Sequence, residues 1–347
     1  MPDSTSPEPA RLGRRSLIKA AGLGVTALGL GAAVPGGAAV AGPRGTPAEK
    51  PSRLLLNTVN LYCRTATAVY DGSGNVTIDI TVGNFGSVAA TGPVSLKVLT
   101  PFYANINALP TVAGGTSSWL YENAAPEVPS IIKVAFDGFP ANSTKTLTLS
   151  CALDAGHPNL PPIGRAIFTT DAANTTDADS DLTRNNWLFT FLGASLAAPT
   201  AGNANLYFTV PQKPLVVGGA AESIPFSFYN GAGTLLHGTS HPACFTFTTP
   251  FHTRVPSAGR PSGLTALYEN DDPAIPSVYQ LAVPAGLGAL GPLVPTVINI
   301  PFQVQNDAPR QLIPATGIIV PTGSDTQGDR STNSTRFSIL STANAAV

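Results

Sequence analysis

One block of residues occurs twice in this chain and constrains what the chain can fold into. The sequence Leu-Tyr-Glu-Asn at 120–123 returns at 267–270, and each copy is followed, at the same distance, by a Pro-Ser pair. The numbering of the two copies differs by 147 (268 − 121) throughout the block. A run of identities at one fixed offset indicates an internal duplication. The chain is therefore predicted to contain two copies of one fold.

Matching segments extend this duplication over most of the chain, and their periodicity is that of β-strands. Residues 60–63 match 205–208, and apolar residues alternate with polar ones along both 78–82 and 224–228. A period of two with one apolar face indicates a half-buried antiparallel strand. Only 11% of the residues are charged, and 34 glycines and 33 prolines provide many turns. We predict an all-β protein made of two tandem antiparallel β-sandwiches, immunoglobulin-like or alternatively jelly-roll in topology.

The N-terminal residues have the features of an export signal. Arg14-Arg15 precedes a weakly hydrophobic run and the small-residue sequence Ala39-Val40-Ala41, as in twin-arginine signal peptides. The run is too short to span a membrane, so we expect a secreted protein with no membrane span after cleavage; an uncleaved N-terminal anchor is the alternative. The predicted segments are the signal peptide (1–41), a flexible leader (42–53), the first repeat (54–192), a linker (193–202) and the second repeat (203–342).

Part of each repeat resembles a known family of surface modules. The segments 79–86 and 90–94 and the pair Thr100-Pro101 are similar to CARDB-type and related bacterial immunoglobulin-like conserved-repeat modules, which carry an I-x-V-x-N-x-G pattern followed by a short strand and a proline. The coil at 102–118 and the Tyr-Glu-Asn block are not part of that pattern. The resemblance implies an extracellular adhesion or scaffold role.

The repeated block is also the one polar cluster that both copies keep. Its tyrosine ring, carboxylate and amide could bind a surface glycan or another surface protein. Alternatively, the tyrosine closes the end of a sandwich while the glutamate and asparagine bond the backbone of a Pro-rich turn. Retention after duplication fits both interpretations. The candidate binding residues are Tyr121, Glu122, Asn123, Tyr268, Glu269 and Asn270.

An acidic loop near the end of the first repeat is a candidate calcium site. Asp177, Asp179 and Asp181 are spaced so that their oxygens could converge on one ion. The second repeat has Gln327 in the middle position, and a solvated acidic turn is the alternative. We expect no other cofactor.

Two cysteines of the first repeat stand where the second repeat has phenylalanine. Cys63 aligns with Phe208 and Cys151 with Phe302, all at inward positions. An exported protein can form disulfides, and closing a loop of 88 residues (151 − 63) would add ~4–5 kcal/mol. We predict a disulfide across the core; two separate buried thiols are the alternative.

Charge and motifs narrow the function further. The formal net charge of −1 and the lack of a basic patch argue against a nucleic-acid partner. The sequence has no nucleophile elbow, phosphate-cradling loop or dinucleotide fingerprint. We predict a non-enzymatic adhesion or binding module for a surface glycan or another surface protein. The alternatives are a secreted carbohydrate-acting hydrolase with Glu122 or Glu269 as its acid, and a jelly-roll assembly protein.

Overall fold

The computed structural model describes most of both repeats. The described residues are 58–70, 75–100, 102, 104–123, 128–153, 165–172, 187–191, 203–232, 236, 241–272, 275–287, 294–306, 308, 312–328 and 334–342. The predicted signal peptide, leader, linker and acidic loop lie outside these ranges. Within them every helix or strand assigned is a β-strand, and none contains a helix long and apolar enough to cross a membrane. Residues Gly45–Val347 form one compact unit.

The described residues of the first repeat form nine strands in two sheets. Their order is β1-β2-β7-β4 in the smaller sheet and β5-β6-β3-β8-β9 in the larger. All pairings are antiparallel. The strands are β1 Leu61–Tyr70, β2 Asn75–Asn84, β3 Val94–Leu99, β4 Ala104–Ile106, β5 Gly115–Tyr121, β6 Ile131–Phe136, β7 Ser143–Leu153, β8 Arg165–Ala172 and β9 Trp187–Phe191.

The second repeat follows the same plan with one additional strand. Its sheets have the orders β10-β12-β17-β14 and β11-β19-β18-β13-β16-β15. The strands are β10 Leu206–Thr209, β11 Lys213–Val216, β12 Glu222–Asn230, β13 Ala243–Thr248, β14 Thr253–Arg254, β15 Leu264–Tyr268, β16 Val278–Val283, β17 Thr296–Val304, β18 Leu312–Pro321 and β19 Ser334–Thr342.

The two repeats agree in strand order and in register, so the predicted tandem fold is confirmed. Ile80 lies opposite Leu147 in the first repeat, and Phe226 opposite Ile298 in the second. For this comparison β11 is left out of the count. In each repeat the second strand then pairs with the first on one side and with the seventh on the other, while the third, eighth and ninth strands lie in the other sheet. This is the immunoglobulin arrangement of strands A, B, E and D against C, F and G.

One proline explains the additional strand β11. In the first repeat β1 stays paired with β2 along its whole length, with a register shift between Thr65 and Thr67. The second repeat has Pro211 where the first has Ala66, at the offset of 145 (208 − 63) that the first strands share. Proline has no N–H to donate to the sheet. The chain therefore leaves β12 after β10 and continues as β11, which pairs in parallel with β19.

The cores differ in chemistry although the backbones match. The first repeat packs aliphatic residues and two cysteines around Ile78, Ile80 and Leu149. The second repeat replaces many of these with phenylalanine, and neighbouring rings lie 4.6–6.5 Å apart in edge-on, tilted and parallel arrangements. Such aromatic pairs add ~0.5–1.5 kcal/mol each beyond their area. The phenylalanines that make these ring contacts are Phe208, Phe226, Phe228, Phe245, Phe247, Phe302 and Phe337.

The predicted disulfide between Cys63 and Cys151 is wrong, because both side chains are thiols in the same sheet. Cys63 lies opposite Val82 of β2, which lies opposite Lys145 of β7. Cys151 is six residues (151 − 145) farther along β7, about 20 Å at ~3.3 Å per residue. A disulfide needs Cα atoms within roughly 7 Å. Burial raises the pKa of Cys151 to about 12 and also raises the pKa of Cys63.

Candidate functional site

Each copy of the repeated block ends an edge strand at a β-bulge. The register shifts between Trp119 and Tyr121 on β5, and between Ala266 and Tyr268 on β15. A bulge inserts an extra residue into one strand and turns the following side chain to a new direction. The leucine that precedes each tyrosine is that extra residue. The same irregularity therefore sets the direction of the tyrosine in both repeats.

The two tyrosines lie against each other. The ring centres of Tyr121 and Tyr268 are 3.7 Å apart and their planes differ by 21°; both side chains are half-buried. These residues are equivalent in the duplication, so the block contacts its own counterpart. The stack therefore joins the same position of the two repeats.

Apolar residues of both repeats surround the tyrosine pair. Phe102 and Val128 of the first repeat cluster with Val278 and Ile318 of the second, and Ile131, the counterpart of Val278, is buried in a cluster made mainly of second-repeat residues. Strand β8 also contacts β18 and β19. Burial of these side chains makes the contact between the repeats a continuation of the core.

The asparagine and serine of the block stabilise the turn that follows it. The N–H of Ser130 donates to Oγ1 of Thr100 (2.8 Å) and the N–H of Thr100 donates to the carbonyl of Ser130 (3.0 Å). The N–H of Asn123 donates to Oγ of Ser130 (3.2 Å), which donates to Oδ1 of Asn123 (2.7 Å). All but the last of these bonds recur in the second repeat, between Thr249, Ser277 and Asn270. This geometry favours the turn interpretation for the asparagine.

The glutamate of the second block belongs to a charged cluster. Glu269 binds Arg260 and accepts a hydrogen bond from the hydroxyl of Tyr279 (2.8 Å). Arg260 also donates to the carbonyl of Val255 (2.6 Å) and lies 5.1 Å from the ring centre of Tyr279. The hydrogen bond from Arg260 holds the pKa of Glu269 below its usual range, although partial burial opposes the shift. A carboxyl group kept ionised is a poor general acid near neutral pH.

The first block has no equivalent of this cluster. Glu122 is exposed, and the positions of Arg260 and Tyr279 at the block offset of 147 are occupied by Ala113 and Ile132. These residues carry neither a cation nor a hydroxyl group. The two glutamates, although identical in sequence, therefore lie in different surroundings.

The candidate calcium residues Asp177, Asp179 and Asp181 lie outside the described residues, but residues 325–328 of the matching loop in the second repeat are described. There Asp325 is fully buried and accepts a hydrogen bond from Nδ2 of Asn203 (2.6 Å). The side-chain amide of Gln327 accepts from the N–H of Leu206 (2.9 Å) and donates to its carbonyl (3.1 Å). These bonds attach the loop to the start of the repeat. Among the described residues no group of three His, Cys, Asp or Glu side chains could hold a metal ion.

A second repeated feature was missed from the sequence: an aromatic pair on the smaller sheet of each repeat. In the first repeat Tyr62 stacks on Phe85, with ring centres 3.8 Å apart and planes within 7°. In the second repeat Tyr207 stacks on Tyr229, with ring centres 4.8 Å apart and planes within 3°. Tyr62 and Tyr207 are equivalent, so each repeat provides this tyrosine with one aromatic partner.

The partner comes from a different position in each repeat. At the offset of 146 (226 − 80), Gly83 corresponds to Tyr229, and Phe85 to Gly231. The ring of Tyr62 occupies the space over Gly83, where an added Cβ would lie 2.3 Å from the ring. The exchange of glycine and aromatic residue is visible in the aligned sequences as Gly-x-Phe against Tyr-x-Gly. That exchange is the signal from which the aromatic pair could have been found.

Comparisons with known proteins add little to this geometry. Neither the family models nor the curated proteins gave a match. Among solved structures, a red sea bream transglutaminase matches at 12% identity and a TM-score of 0.23, covering 82% of this chain and 31% of its own. The BSP domain of a biofilm-associated protein matches at 8% identity and a TM-score of 0.26, covering 81% of this chain and 59% of its own. Both TM-scores are low, so neither likeness indicates what this tandem immunoglobulin-like sandwich protein does.

Proposed function

We propose that the chain is a secreted, non-enzymatic binding module in which the two sandwiches form one rigid body at the cell surface or in an extracellular matrix. The observation that supports this proposal is the stacking of Tyr121 on Tyr268. This stack means that the repeated Tyr-Glu-Asn block, the strongest candidate site in the sequence, forms the contact between the repeats. The outer faces of the smaller sheets then remain for a partner, which we propose is a surface glycan or another surface protein.

The charged cluster around Glu269 favours binding over hydrolysis. A glycosidase needs one carboxylic acid whose pKa is raised, together with a second carboxylate across a cleft. Arg260 shifts the pKa of Glu269 in the opposite direction, and the hydroxyl of Tyr279 bonds the same carboxylate. We therefore assign Glu269 a structural role, as the residue that fixes the loop carrying Arg260.

Secretion is the part of the proposal that the N-terminal sequence supports. Replacing Arg14 and Arg15 by lysine should retain the full-length protein inside the cell. Fractionation of cells that express the native and the double-lysine chains measures this directly. Equal export of the two chains would contradict the twin-arginine route.

The binding role is tested with the mature protein, residues 42–347. It is applied to an array of cell-wall polysaccharides, other glycans and matrix proteins, once with calcium and once with a chelator. We expect retention on at least one class. Retention lost only in chelator would assign the role to the acidic loop at Asp177, Asp179 and Asp181. A blank array in both conditions, or release of sugar from any polysaccharide, would refute the proposed function.

The same array decides the role of the repeated block. Tyr121→Ala and Tyr268→Ala should weaken the fold but not the binding measured per folded molecule. Tyr121→Phe is the matched control, because it keeps the stacked ring. Binding abolished in the alanine variants at native stability would make the block a recognition site after all.

A further inference from the structure

The outer face of the smaller sheet in the second repeat has the features of a ligand platform. Tyr207 and Tyr229 lie directly opposite each other on β10 and β12, with parallel rings. The ring centres are 4.8 Å apart. Two rings side by side in one plane would overlap at this distance, so the rings are stacked with an offset. We propose that this face, centred on the two tyrosines, binds a neutral polysaccharide chain. The proposal rests on the proposed function as a binding module and names its surface and ligand class.

The pairing of the strands places polar and apolar groups in one flat array beside the rings. Thr209 lies opposite Ser227, and Ser227 lies opposite Val297 of β17. Because side chains two residues apart share a face, Tyr229 and Asn299 also belong to this array. The aromatic rings therefore continue directly into a row of hydroxyl, amide and isopropyl groups.

Exposure distinguishes this array from an ordinary polar sheet face. Among the described residues three large hydrophobic side chains are exposed, and the most exposed of them, Val297 at 52%, lies on this face. Tyr207 and Tyr229 are both half-buried. The exposed valine and the two tyrosine rings together give this face apolar surface that a ligand can contact.

The charge of the array narrows the chemistry of the ligand. Thr209, Ser227, Val297 and Asn299 are all neutral. At the far end of β12 the charged pair Lys213 and Glu222 is joined in a salt bridge (3.0 Å), so it offers little net charge. A ligand that suits this surface has apolar C–H groups for the tyrosines and Val297 and uncharged hydroxyl groups for the amide and hydroxyls. A chain of neutral pyranose rings has both.

The first repeat provides an internal comparison. There Tyr62 is only 3% exposed and is stacked beneath Phe85. The corresponding face of β2 and β7 carries the carboxylate of Asp79, which accepts a hydrogen bond from Thr148 (2.7 Å). This face therefore lacks both the open tyrosine and the neutrality of the second repeat. We expect one polysaccharide site per chain.

The test uses the mature protein, residues 42–347, in titrations with dextran, laminarin and galactomannan. Alginate serves as the anionic control polymer. Tyr207→Ala and Tyr229→Ala should each weaken binding to the neutral polymer roughly tenfold, as expected for central aromatic contacts. Val297→Asp, at an exposed position, should weaken it similarly while leaving the unfolding midpoint unchanged. Thr148→Ala, on the outer face of the first repeat, should bind as the native chain does.

The outcomes separate this proposal from the proposed function. Native affinity in the Val297→Asp, Tyr207→Ala and Tyr229→Ala variants would overturn the site but leave a binding module. Retention only on alginate, or only on a protein, would overturn the ligand class and leave the same general function. Binding to none of the probes on the array or in titration would overturn both.

Discussion

Replacing Tyr268 by alanine removes one ring of the stack that joins the repeats. An aromatic side chain buries ~150–250 Å² when it is fully enclosed, and this half-buried ring therefore contributes ~100 Å². At ~25 cal/mol per Å² the loss is about 2.5 kcal/mol, and the stacking itself adds ~0.5–1.5 kcal/mol. We expect the free energy of unfolding to fall by roughly 3 kcal/mol. The milder change Tyr268→Phe removes only the hydrogen bond that its hydroxyl accepts from Asn270 (2.7 Å), worth ~1 kcal/mol.

A double-mutant cycle isolates the contact between the rings. Urea denaturation of the native chain, Tyr121→Ala, Tyr268→Ala and the double variant should give a coupling energy of ~1 kcal/mol. The matched control pairs Tyr121→Ala with Tyr207→Ala, whose rings belong to different stacks and whose effects should add. A coupling energy for Tyr121 and Tyr268 within ~0.3 kcal/mol of zero would refute the stacking of the two repeats through this pair.

Three further predictions concern single sites. Arg260 lowers the pKa of Glu269 from its ordinary 4.5, so Glu269 stabilises the fold above that pH and this contribution is lost as the pH falls through the lowered pKa. Because this side chain is 45% exposed, Glu269→Gln should flatten the acid limb of a stability-versus-pH curve by only ~0.5 kcal/mol. Asn230→Ala should cost ~2 kcal/mol in urea titrations, because the buried amide oxygen accepts from two backbone N–H groups (3.0 and 3.2 Å). In mass spectrometry after thiol labelling, Cys63 and Cys151 should stay unlabelled in the native protein and both react in concentrated guanidinium; a disulfide would leave both unlabelled.

The sandwich fold could be predicted because its signals are local. The alternation at Ile78, Ile80 and Val82 indicates which side of one strand faces the core. The constant offset between the repeats then gives the same prediction for the equivalent strand of the second repeat. Asn84 and Asn230, at the ends of equivalent strands, are likewise both buried, and each accepts hydrogen bonds from nearby backbone N–H groups. Periodicity and repetition suffice for such features, because the alternation lies within one strand and the asparagine recurs at the end of the equivalent strand.

The disulfide could not be decided by the same means. Cys63 and Cys151 do both face the core, as the alternation predicted, and both are replaced by phenylalanine in the second repeat. Alternation, however, says only that a side chain points inward. It does not say which sheet carries the strand, or how far along the strand the residue lies. Because β1 and β7 belong to one sheet, two inward residues on them can be separated by most of its length.

The two repeated aromatic features show why a duplicated chain keeps some residues and exchanges others. Tyr121 contacts its own counterpart, so a change in one repeat meets an unchanged partner in the other, and both copies of the block stay the same. The partner of Tyr62 lies within its own repeat, so glycine and an aromatic residue can exchange places between positions 83 and 85 and their counterparts 229 and 231 without breaking the stack. Identity between repeats therefore points to the contact that joins them. Difference between them, as at Tyr229, points to the face on which one repeat has acquired a surface that the other lacks.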